Sequence, residues 1–298
     1  MTEFFQQFKH IAQLGGIFFM NTRTDLAVES FPDGFSENVH INKRKGIFSV
    51  TEIILDDDSY IETIGKSKGR YVTLENQNMT DFSDDYENMI TEIANEIKNF
   101  IPEGDILVVG LGNRDITPDA LGAMVSAKIL ATRHLEKELK NDTDDFLKSL
   151  RRVSTFAGGV LGQTGIETAE IIRAVCNEIK PAGIIAVDAL ACADVSRLGT
   201  TIQISDSGIS PGSGVANARK ELSEKVMGIP VIAIGVPTVI DTHTIIRNFT
   251  DSEPDVPNMM VTSREIDRLI ERTAQLIAYG INLALQPALT VDDICGLF

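Results

Sequence analysis

Two aspartates have the residue type and position for chemistry. Asp188 ends an apolar run, "GIIAV" (183–187), and Asp119 lies in "TPDALG", just beyond a second run, "DILVVG" (105–110). An ionised carboxyl at the end of a buried strand is costly unless it is solvated or paired. Sites in parallel sheets gather at the carboxyl ends of strands, so Asp188 is a candidate by position. If the two strands are neighbours, both acids face one crevice. Two close carboxylates do not both ionise easily, so one keeps a proton while the other can act as a base on water. That pairing suits peptide hydrolysis without a metal. Plainer roles stay open for each. With Thr117 at N-cap and Pro118 at N1, Asp119 reads as a first-turn helix acid. Asp188 reads equally as a carboxylate capping nearby backbone N–H groups. Asp115 reads as a loop residue.

The glycines around these acids pose a second question. "GLGN", with Gly110 and Gly112, lacks the third glycine of a dinucleotide fingerprint and the lysine of a P-loop. A carboxylate at the helix start also repels phosphate. Two further loops, "GGVLGQTGIET" (158–168, with Gly162 and Gly165) and "SDSGISPGSGVANAR" (205–219, with Gly212 and Gly214), offer backbone N–H groups to an oxyanion or a peptide carbonyl. Each also reads as an irregular connection. Ser210 and Ser213 lack a histidine partner. The four histidines show no metal-ligand spacing, so neither a metal nor a cofactor is expected; His243 is the one to watch as a ligand. A metal-dependent peptidase on the same acids and a nonenzymatic nucleotide-binding module stand as alternatives.

The elements that must position these residues follow from periodicity. Met89, Ile90, Ile93, Ile97 and Ile101 form one helical stripe over 86–101. Helices are also predicted over 118–139, over 166–180 and from Ser263 as N-cap to about 285. Strands are predicted over 46–55, 70–75, 105–110, 152–159, 183–190, 200–209 and 230–236. "ILVVG", "IIAV" and "VIAIG" do not alternate, so both faces of those strands are buried, which signals an α/β fold with a mostly parallel sheet flanked by helices. The N-terminal strands extend that sheet or form a small β layer. Three loops fall at carboxyl ends: 110–119, 188–197 and 235–243. Residues 1–20 form a candidate helix, docked on the body or removable, and 21–298 a single α/β domain.

Bulk properties narrow the classes. The chain has 298 residues, 43% of them hydrophobic, and a net charge of −16. That charge argues against nucleic-acid or anionic-membrane binding, which relies on Lys and Arg. Three widely spaced cysteines suggest neither a disulfide frame nor a zinc site, and fit a reducing, intracellular setting. No apolar run is long enough to span a bilayer.

Taken in order, the motifs resemble the germination protease family of spore-forming bacteria. They are "RTDLAVE" (23–29), "YVTLE" (71–75), "GLGN" with "TPDALG" (110–122), "TGIET" (164–168), "VDALA" (187–191), "TIQISDSGI" with "PGSGV" (201–215) and "GIPVIAIGVPTV" (228–239). The resemblance implies a fold related to hydrogenase-maturation peptidases and an endopeptidase of atypical aspartic type. It maps the catalytic pair onto Asp119 and Asp188. It further implies a homotetramer, made as a zymogen that cuts near Met20 or Asn21 and is located in the cytoplasm of the forespore and spore core. The substrates implied are small acid-soluble spore proteins. Two positions depart from the family pattern: Ala193 stands where an arginine is expected, and "GVGN" reads "GVAN" with Ala216.

Overall fold

The non-alternating runs pair side by side at the centre of one sheet. In the computed structural model, which describes residues 24–31, 38–81, 85–135, 145–210, 220–250 and 254–298, the strands are β1 (Val39–Lys45), β2 (Ser49–Leu55), β3 (Gly69–Glu75), β4 (Ile106–Gly110), β5 (Val153–Ala157), β6 (Gly183–Ala191), β7 (Thr201–Ser205), β8 (Val231–Asp241) and β9 (Met260–Thr262). Their order is β1-β2-β3-β7-β8-β6-β4-β5, with β9 paired to β8. The β8-β6-β4-β5 half is parallel and carries the buried runs. The N-terminal strands continue the same sheet, antiparallel, through β3 and β7.

Helices cover both faces of the parallel half. Helix α1 is a single turn, Ala27–Ser30; α2 is Tyr86–Lys98, α3 Leu121–Ser126, α4 Thr168–Ile179 and α5 Ile266–Leu285. On one face α2, α3 and α5 bury Ile90, Ile93, Ile97, Leu121, Val125 and Ile277 against Val108, Ile185 and Ile234. On the other, α4 buries Ala169, Ile172 and Cys176 against Leu107, Val109, Ile184 and Ala186. The crossover from β4 to β5 thus runs over one face, and that from β5 back to β6 over the other. β4 and β6 therefore flank a topological switch point, where an open α/β sheet leaves a crevice.

Several elements differ from the sequence reading. The helix expected over 118–139 is a 3₁₀ turn, Thr117–Asp119, followed by α3, which stops at Ser126. A distant side chain ends it: Asn282 of α5 accepts from Leu130 N at 3.0 Å and donates to Lys128 O at 2.8 Å, turning the chain towards β5. Ile116, with no side-chain cap, precedes the turn in place of the expected Thr117 cap. β6 ends at Ala191, one residue beyond the expected 190, whereas β8 runs on to Asp241, so most of the loop expected over 235–243 is strand. β1 escaped notice because its residues, "VHINKRK", are mostly exposed and form no apolar run. The candidate pro-segment (1–20), Met20 and Asn21, and Gly212 and Gly214 lie outside the described residues.

Candidate active site

The glycines after β4 serve packing. A Cβ on Gly110 would collide with the carbonyl of Gly122, and one on Gly122 with the carbonyl of Val187 and the backbone of Leu111. Their absence lets α3 press against the ends of β4 and β6. Gly112 has φ +89°, a left-handed conformation that side chains rarely adopt, and a Cβ there would strike Asp119. The loop then returns on itself: Asn113 N donates to Asp119 Oδ2 at 2.7 Å. A carboxylate of the chain itself therefore takes up an N–H that a phosphate cradle would offer to its ligand.

The turn bearing Asp119 is held from β8, where the buried Thr238 Oγ1 donates to Pro118 O at 2.7 Å. Asp188 follows Val187, the partner of Gly110 across the β4/β6 pair, and Leu111 N donates to Val187 O at 2.8 Å. Asp188 thus lies on β6 and Asp119 in the 3₁₀ turn that follows β4, and the charge of Asp119 acts on Asp188. Asp188 is 4% exposed and accepts from Ala189 N at 3.0 Å. Burial first, then the charges of Asp119 and Asp25, push its carboxyl well above the usual range. Asp119 is only half-buried.

Asp25 is the acid that strand-end reasoning missed. Asp188, Gly235 and Gln203 lie in register across β6, β8 and β7. Gly235 leaves the middle of that row without a side chain. Over it lies a cavity of about 250 Å³, lined by Asp25, Lys66, Asp188, Gln203 and Gly235 among others. Asp119 is not among the lining residues. Gln203 donates to Asp25 O at 3.1 Å and accepts from Ala27 N at 2.6 Å. Lys66 Nζ donates to the same Asp25 carbonyl at 2.7 Å, and burial pulls its ammonium below the usual lysine range. Asp25 occurs within "RTDLAVE", but that stretch has no strand-end signature to mark it.

The remaining candidates do not line this cavity. Asp115 is exposed and accepts from Gln163 Nε2 at 3.1 Å. Gly162 and Gly165 belong to a helical turn, Leu161–Thr164, and its cap; the Gly165 N–H donates to Leu161 O at 2.8 Å, so it is not turned towards a ligand. His243 Nε2 pairs with Val256 O at 2.7 Å. Among the described residues, no group of three or more His, Cys, Asp or Glu could hold a metal ion.

Known proteins resemble this chain along most of its length. The family model for germination protease matches residues 28–252. A germination protease of Clostridium tetani is 39% identical over 323 aligned positions, covering 92% of this chain and 98% of its own. One from Bacillus velezensis is 36% identical, covering 91% of this chain and 95% of its own. Among solved structures, the [NiFe] hydrogenase maturation protease HycI of Thermococcus kodakarensis covers 62% of this chain and 98% of its own, at 20% identity and a TM-score of 0.33. The family model and the relatives agree over nearly the whole sequence, and the chain belongs to the germination protease family.

Proposed function

We propose that this peptidase opens the degradation of small acid-soluble, DNA-protecting spore proteins at germination, with Asp119 and Asp188 as its water-activating pair. One carboxylate takes a proton from water as the oxygen bonds to the scissile carbonyl carbon. The other, protonated, donates to the carbonyl oxygen or, as the C–N bond breaks, to the leaving amine. One observation carries this reading: Asp188, buried on β6, lies within reach of the charge of Asp119 on the turn after β4, and burial and that charge both favour its protonated form. The family resemblance adds a zymogen that removes its own N-terminal segment near Met20 or Asn21, a homotetrameric assembly and a place in the spore core.

The test compares wild type with Asp119→Asn and Asp188→Asn on a small acid-soluble spore protein. Mass spectrometry follows both the substrate and the enzyme's own N-terminus. Each variant is expected to fold and to lose about 10²–10⁴-fold in cleavage rate. Unchanged cleavage in both would remove the pair from the mechanism. Loss of substrate cleavage alone would make self-processing a separate event.

A further inference from the structure

Residues 24–29 are bound into the wall of the site. Asp25 is pinned to Ala191, three residues beyond Asp188 on β6, on both sides of its own peptide. Its N–H donates to Ala191 O at 2.9 Å, and its Oδ2 accepts from Ala191 N at 2.8 Å. Glu29, its side chain 4% exposed, accepts from Ala193 N at 2.7 Å and Asp194 N at 2.9 Å and bonds the Thr24 hydroxyl. Leu26 is wholly buried with Leu190 and Cys192. These contacts fix the Asp25 carboxyl in the cavity that Asp188 also lines.

Building on the Asp119/Asp188 reading, we infer that Asp25 is a positioning residue of the pair: its charge makes Asp188 the proton donor and leaves Asp119 as the base. Each step across a sheet is about 4.8 Å, so the Gln203–Gly235–Asp188 row is short. The Gln203 amide holds the Asp25 main-chain carbonyl at one end of it, and the Asp25 carboxyl, bonded to Ala191 N three residues beyond Asp188, belongs to the same cavity wall. A carboxylate in that place disfavours a second negative charge on Asp188. Asp119 is better placed to carry the charge, being half-buried and accepting from the Asn113 N–H. The other titratable groups of this cavity are Lys66, Tyr71 and Glu221. Lys66 sits against Asp25, and its ammonium limits the field that Asp25 exerts.

Asp25→Asn keeps an oxygen to accept from Ala191 and removes the charge. If Asp188 must be protonated, activity falls as pH rises through its titration. The alkaline limb of kcat/KM for spore-protein cleavage is therefore expected to move to lower pH by about one unit in Asp25→Asn. Asp25→Glu should bring it back towards the wild-type position. Lys66→Met, which removes a cation, should move it the other way and carries the test should Asp25→Asn fail to fold. Carboxyl-carbon NMR of the resting full-length protein should show Asp188 titrating lower in Asp25→Asn. A slower enzyme with an unmoved limb and an unmoved Asp188 resonance would overturn the inference and reduce Asp25 to a purely structural clamp. That result leaves the catalytic pair intact, whereas full activity in Asp188→Asn would overturn the pair itself.

Discussion

At Asp188, burial and like charge act in the same direction. Both favour the neutral carboxyl, so in the folded protein it titrates above its unfolded value, which is about 3.9. A raised pKa means that the folded state binds the proton more tightly. The stabilisation is therefore full below about pH 4 and is lost as pH rises through the folded value. Asp188→Asn removes that loss. Its melting temperature is expected to exceed wild type at pH 8 and to match it near pH 4, measured by scanning calorimetry across pH. A wild-type difference that does not change with pH would mean that Asp188 ionises freely in the fold. The sequence marked Asp119 and Asp188 through the runs preceding them. It did not mark Asp25, because the partners that give that residue meaning, Ala191 and Gln203, are more than 160 positions away.

Among the elements, the contact between α3 and the ends of β4 and β6 positions the pair. Gly122 occupies a helix, where alanine ordinarily gains about 1 kcal/mol over glycine. Here the added methyl meets the Val187 carbonyl and the Leu111 backbone, neither of which can rotate away. Gly122→Ala is expected to destabilise the protein by about 1–3 kcal/mol, read from urea unfolding, and to lower cleavage with it. A stabilised variant would show that propensity outweighs the close approach. The spacing of "GLGN" speaks against a phosphate cradle, but local spacing cannot reveal what packs against the loop. The early end of α3 was likewise hidden: Asn282, whose side chain bends the chain, lies 156 residues beyond Ser126.

The chain carries a net charge of −16, and its described strands form one nine-stranded sheet. No helix among the described residues is long and apolar enough to cross a membrane. Exposed apolar side chains occur at Phe249, Val256, Met259, Met260 and Val261, and again at Leu297 and Phe298. Light scattering is expected to give a mass near four times the 32.5 kDa chain, as the family resemblance implies; a monomer would remove the tetramer from the proposed function.

The sequence by itself determined the α/β class and the central strands. Runs such as "ILVVG" and "GIIAV" must be covered on both faces wherever they lie, and a helical stripe such as Met89–Ile97 must face a core. It also placed Asp188 directly after one such run. The tertiary structure decided which strands are neighbours, that the connections leave β4 and β6 at a switch point, and that Asp25, from the short segment 24–29, joins the wall of the cavity beside Asp188. Those outcomes depend on backbone approach and long-range hydrogen bonds, which leave no periodicity in the chain. Asp25 appears beside Asp188 only once the sheet is formed.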